Sequence, residues 1–257
     1  MRILAQPRDL AELTEIDPAV PGGEGDRFSG YGVMGLPFSS GHVLALRRFP
    51  ASSLGYGYSS VWHCDPEGRW TFWSDNSPDA SCARYFGREV DRAMVAPIRI
   101  TWAGPRRFRV VVGDGAIDWS VDLVATPATL LMNAVGACLP AGAWQRPAVP
   151  RVMSLIAGPL LGVGAVRLSG CCPNGQRFTA SPRQAWMVGR SKATVDGVSI
   201  GVPGPLKAQA FLADFAIPQR GIFVIGRSRL ESFDPGRHSR VLARGETALP
   251  AGRGPAF

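Results

Sequence analysis

The stretch Ile117-Asp118-Trp119-Ser120-Val121-Asp122-Leu123-Val124 has a period of two. Ile117, Trp119, Val121 and Leu123 alternate with Asp118, Ser120 and Asp122, and only an extended strand puts every second residue on one face. Arg107–Val112 precedes it across Gly113-Asp114-Gly115, where glycine supplies the positive φ of a tight hairpin turn. Further upstream, Ile98, Ile100 and Trp102 alternate with Arg99 and Thr101 and end at the turn signal Ala103-Gly104-Pro105. Three consecutive antiparallel strands follow from this spacing.

The same grammar recurs along the chain. Asp65-Pro66-Glu67-Gly68 joins Tyr58–Cys64 to Arg69–Ser74, and Pro173-Asn174-Gly175 joins 165–170 to 177–180. Asp196-Gly197 joins 192–195 to 198–200, and Pro218-Gln219-Arg220-Gly221 precedes the apolar strand 222–225. In the first of these hairpins a three-residue loop pairs His63 with Thr71. Trp62, Cys64, Trp70 and Phe72 then share one apolar face, with His63, Thr71 and Trp73 on the other. Roughly ten short strands with close turns predict an all-β fold, an antiparallel meander that closes into a barrel because closure removes exposed edges.

The organisation expected is an N-terminal segment (1–28), a first β block (29–126), a helical insert (127–163), a second β block (164–234) and a mobile basic tail (235–257). Leu10, Leu13 and Ile16 stand at helical spacing before Pro18 and predict a short helix in the first segment. The apolar runs 127–144 and 152–166 are each shorter than the ~20 residues a membrane span needs. They predict buried or interfacial helices and leave room for peripheral membrane contact through 127–163.

The formal net charge is +8 over 257 residues, and Lys192 and Lys207 are the only lysines. Arginine in place of lysine, with 31 Gly and 22 Pro, is the composition of a GC-rich genome such as an actinobacterium's. The charge therefore says little about phosphate contacts. Without a stacking motif or a nucleic-acid module, nucleic-acid binding is disfavoured. The five cysteines are an odd number without metal spacing, and Cys171 and Cys172 are adjacent, which predicts reduced thiols and a cytoplasmic protein. The first residues lack the apolar run of a secretory signal.

Few residue patterns point to chemistry. No Gly-x-Ser-x-Gly elbow is present, and no Gly-x-Gly continues into a dinucleotide or phosphate-binding fingerprint, so no cofactor is expected. His238 reads as an exposed tail residue, and His42 opens a strand. Haem would need His42 or His63 as its axial ligand. The densest polar run is Ser74–Phe86, in which Asp75 and Tyr85 could act as acid and base if burial moved them toward neutrality. Arg84 could hold an anion. The seven tryptophans fall mostly on predicted strands, where they fill a core or line a cavity.

Gly41–Leu46, the hairpin carrying Trp62 and Arg69–Asp75, and Ile100–Pro105 leading into Ile117-Asp118-Trp119 resemble the lipocalin-like superfamily of hydroxyneurosporene synthase, a carotenoid hydratase, and AttH-type proteins. The resemblance implies a barrel and an apolar ligand, such as a polyene, terpenoid or polyketide, and assigns no catalytic residue. Two readings follow for the chain. One is a cofactor-independent hydratase, isomerase or cyclase, with Asp75 and Tyr85 or His63 as the acid–base pair, Trp62, Trp73 and Trp102 as walls, and Arg84 at the ligand. The other is a non-catalytic carrier of an apolar ligand.

Overall fold

The computed structural model describes residues 5–240 and 246–248. A helix α1 (Pro7–Ile16) leads into strands β1 (Asp26–Val33), the two-residue β2 (Leu36–Pro37), β3 (Val43–Ser52), β4 (Tyr58–Cys64) and β5 (Trp70–Ser74). A one-turn helix α2 (Ala83–Phe86) precedes β6 (Arg92–Val95), β7 (Ile98–Gly104), β8 (Arg107–Val112) and β9 (Ile117–Val124). Helices α3 (Pro127–Cys138) and α4 (Ala148–Leu161) come next. The chain then returns to β10 (Ser169–Cys171), β11 (Arg177–Val195), β12 (Val198–Ser199), β13 (Phe211–Leu212), β14 (Phe215–Ala216), β15 (Ile222–Leu230) and β16 (Glu246–Ala248).

Nearly all strands belong to one sheet in the order β16-β6-β5-β4-β3-β1-β15-β11-β9-β8-β7. The protein is mostly β, as the alternation implies, but the barrel expectation is corrected. The described end strands are not hydrogen-bonded to each other, and the sheet is mixed, with β6 parallel to both β5 and β16. The two β blocks of the sequence interleave in space. β1 pairs with the late strand β15, and β9 pairs with β11. Hairpins are encoded by their turns, whereas these pairings join segments far apart in the chain, from Val124 to Met187 and from Val33 to Phe223, and leave no local signature.

The local hairpins match their turn chemistry. His63 pairs with Thr71 and Trp62 with Phe72 in the register set by the Asp65–Gly68 turn. Asp196 and Gly197 both have positive φ between the paired Val195 and Val198, the conformation that a two-residue hairpin needs. In the second block, 177–180 and 192–195 are expected as separate strands. They are the two ends of one 19-residue strand, β11. Its register shifts at Pro182/Gln184 and Val188/Arg190. The first bulge admits a proline that has no N–H for the ladder, and each bulge resets the alternation and hides the strand's continuity.

In β1, β3, β4 and β15 both faces of the sheet are largely buried, whereas β7, β8 and β9 bury only one. Tyr31, Leu46, Val61, Phe108, Trp119, Trp186 and Phe223 fill the core on one face, and Trp119 is wholly inaccessible. Phe28, Tyr58, Trp62, Phe72, Phe86 and Phe178 pack on the other. There Trp62 and Phe72 stack with ring centroids 4.3 Å apart at 10°, a geometry worth about 0.5–1.5 kcal/mol beyond area burial.

Helices α3 and α4 cover part of this second face. Thr126 caps α3 in a reciprocal box with Thr129, and Pro127 occupies the first turn, where a missing N–H costs nothing. Gly162 ends α4 in the left-handed conformation. The buried Asn133 of α3 donates from Nδ2 to Ala185 O at 3.0 Å and accepts from Ala185 N at 2.8 Å. On its other side Ala185 pairs with Val224 of β15. An amide side chain thus takes the place of a neighbouring strand and pins the helix to the sheet. Asn133→Leu keeps the branching of the side chain but leaves a buried N–H and C=O unpaired. It is expected to cost about 2–4 kcal/mol in chemical denaturation, against a few tenths for Asn76→Ala on the exposed loop.

Candidate functional site

Between the second sheet face and the helices lies a cavity of about 210 Å³. Strand alternation positions its floor. On β3, Val43, Ala45, Arg47 and Phe49 point to this side, and on β4 Tyr58 and Trp62 do so. Helix α3 contributes Met132, Asn133 and Gly136, α4 contributes Met153, Ala157 and Leu161, and Phe215 arrives from the β13–β14 hairpin. Gly30 and Gly226 also line it. A Cβ on Gly226 would approach Ser181 O to 2.6 Å, so the residue has no room for a side chain where β11 and β15 run closest.

Arg47 is the one buried charge on this wall, with 5% of its surface exposed. Its Nη1 donates to Val33 O at 2.7 Å and to Leu46 O at 2.8 Å, and Nη2 donates to Met34 O at 3.1 Å. The guanidinium carbon lies 4.5 Å from the Trp62 ring centroid and 5.4 Å from that of Phe215. Burial lowers its pKa to about 10, so it stays cationic at neutral pH. Among the described residues no carboxylate forms an ion pair with it.

The remaining ionisable groups on the floor are held neutral. The Tyr58 hydroxyl lies 3.5 Å from Cys82 Sγ. Burial pushes the pKa of both groups up, and the nearby Arg47 charge only partly opposes this. Tyr85 donates to Asp26 Oδ2 at 2.7 Å, within a network that continues through Gln176 to Asn174. Burial and then the Asp26 charge raise the Tyr85 pKa far above its ordinary value. That phenol keeps its proton.

Of the seven residues singled out in the sequence, Trp62 and Tyr85 line the cavity. The others do not. Trp73 and Trp102 pack against the opposite core, because residues one apart on a strand face opposite ways. Asp75 is exposed and accepts from Ser59 N at 2.7 Å, tying β4 to β5. Arg84 sits 3.8 Å from Asp26 behind the wall. His238, expected on the surface, is buried at 6% exposure; its Nδ1 accepts from Asp234 N, and its Nε2 faces Glu231 at 3.0 Å. Beyond 240 the expected basic tail lies outside the described residues, except for β16. All five cysteines are free thiols, and Cys64 and Cys82 are unlinked. Arg47 was missed by sequence reasoning. Its signal was an arginine on the inward-facing set of an otherwise apolar strand.

His63 also lies away from the cavity. Its Nε2 meets His42 Nδ1 at 2.8 Å, and the rings stack 5.1 Å apart. Burial, and then the proximity of His42, lowers the His63 pKa from 6.5 to about 4, and burial lowers that of His42.

No protein-family model matches the chain, and no curated protein matches it. Among solved structures it is similar to an acetoacetate decarboxylase from Legionella pneumophila, with 11% identity and a TM-score of 0.35, over 83% of this chain and 87% of that one.

The histidine pair sets a pH expectation. The folded His63 pKa lies below the unfolded one, so between pH 6.5 and about 4 the unfolded chain binds more protons. Stability is complete above pH 6.5 and falls as the pH drops through this window, by at most about 3 kcal/mol for His63. Urea midpoints measured from pH 7 to pH 4 are expected to fall in the wild type and to flatten in His63→Gln.

Proposed function

We propose that this protein binds a small apolar molecule in the cavity between the sheet and helices α3 and α4, as a carrier or receptor. One observation carries the reading. Aromatic, aliphatic and sulfur-bearing side chains make up most of the wall, and its charged lining residues among those described are all arginines, Arg47, Arg167, Arg183 and Arg227, with no aspartate, glutamate, lysine or histidine. Such a surface binds by excluding water and fixes orientation through few polar groups.

The hydratase, isomerase or cyclase reading needs an acid–base pair poised near neutrality inside the site. Asp75 and His63 sit elsewhere, and Tyr85 holds its proton against a carboxylate. This favours binding over turnover. Helices α3 and α4 serve as the lid. Their outward faces expose Leu131, Val152, Leu155 and Ile156 beside Arg151, a composition suited to peripheral contact with a membrane from which an apolar ligand could be drawn. No helix among the described residues is long and apolar enough to cross a membrane.

The test is fluorescence titration with the neutral dye N-phenylnaphthylamine, which brightens on leaving water. Saturable binding with quenching of Trp62 emission is expected. Ala157→Phe, which fills the cavity from α4, is expected to weaken dye binding at least tenfold, a difference of about 1.4 kcal/mol. Its denaturation midpoint is expected to hold, because the new ring enters empty space; overpacking a filled core would cost about 1–3 kcal/mol. Dye binding unaffected by Ala157→Phe would refute the reading.

A further inference from the structure

We propose that the ligand is an apolar monocarboxylate whose headgroup is held by Arg47 at the floor of the cavity. This inference rests on the binding reading above and specifies the ligand's chemistry. The first observation is an unbalanced charge. Arg47 is a buried cation whose three protein hydrogen bonds all go to main-chain carbonyls, which carry no net charge. A buried charge is tolerated when it is paired, and this one has no ion-pair partner among the described residues.

The second observation is geometric. With Nη1 committed to Val33 and Leu46 and one Nη2 hydrogen to Met34, the Nε–H and the other Nη2–H have no protein acceptor among the described residues. These two donors lie on one edge of the planar group, the arrangement that receives both oxygens of a carboxylate. Trp62 Nε1–H on the same wall is buried with no oxygen acceptor among the described residues and has only the Cys82 thiol beside it. Every unfilled donor at the floor asks for an acceptor, and none of the lining residues supplies a carboxylate.

The charge count selects a carboxylate over a phosphate monoester. A single guanidinium neutralises one negative charge, whereas a phosphate monoester brings nearly two at neutral pH and would leave part of its charge buried and unpaired. Arg183 and Arg227, exposed on the cavity's lining, near enough to repel each other and without described ion-pair partners, draw anions toward it. The wall beyond Arg47, with Phe28, Phe49, Met132 and Met153, suits a hydrocarbon body.

The experiment competes decanoate, decanol and methyl decanoate against the neutral dye on the full chain. Decanoate is expected to bind at least tenfold more tightly than either neutral analogue, about 1.4 kcal/mol. In Arg47→Met that preference is expected to vanish, with decanoate binding no more tightly than decanol to the same variant. Arg183→Gln and Arg227→Gln are expected to slow association and weaken its salt dependence, without erasing the preference. Equal affinities for acid and ester in the wild type would overturn the headgroup assignment and leave the cavity reading intact. Failure of dye and analogues alike to bind would overturn both. If Arg47→Met does not fold, titration of wild-type-bound decanoate labelled with carbon-13 at its carboxyl decides. A bound carboxyl pKa below that of the free acid supports the pairing, and one at or above it refutes the pairing.

Discussion

Burial of both faces of the sheet at its centre, in β1, β3, β4 and β15, is the constraint on which the rest of the structure depends. A strand exposed on one side can keep its polar residues there, but here β3, β4, β1 and β15 must satisfy two apolar environments at once. Their alternate residues feed two different cores, with Leu44 and Leu46 on one side and Val43 and Ala45 on the other. The second face is wider than the helices that cover it can fill with interlocking side chains, and the remainder is the cavity. Position on a strand, odd or even, therefore decides whether a side chain joins the first core or the face that carries the cavity.

The same burial sorts the chemistry. Removing Tyr58, Tyr85 and Cys82 from water favours their neutral forms and leaves them without nucleophilic or basic character near neutral pH. Arginine alone resists, because its intrinsic pKa is so high that even full desolvation leaves it charged. The floor thus holds a permanent cation among neutral groups, stacked on Trp62 and supported by three carbonyls. This arrangement is suited to holding an anionic headgroup and poorly suited to moving protons.

How far the sequence could be read depends on the range of the signals. Asp65–Gly68 and Asp196-Gly197 specify hairpins through the conformations of a few residues, so His63 opposite Thr71 was legible. Trp73 and Trp102 were misread as walls because an aromatic residue on a strand is equally at home in either core. Asp75 and His63 drew attention as polar residues in sparse company, yet one ties two strands together and the other pairs with His42. Arg47 was legible in principle, because it shares the parity of Val43 and Ala45 on β3. In the structure Arg48 faces the other way and bonds Glu15 of α1.

By itself the sequence determined the hairpins at Asp65–Gly68, Gly113–Gly115 and Asp196-Gly197, their short-range registers and the helical character of the stretch after residue 126. These depend on backbone preferences and alternation within a few residues. Only the tertiary structure decided that the two β blocks interleave, that 177–195 is one bulged strand, and which face of the sheet holds the cavity. Pairing β1 with β15 and β9 with β11 is selected by the burial of two cores together, a property of the whole chain that no local stretch encodes.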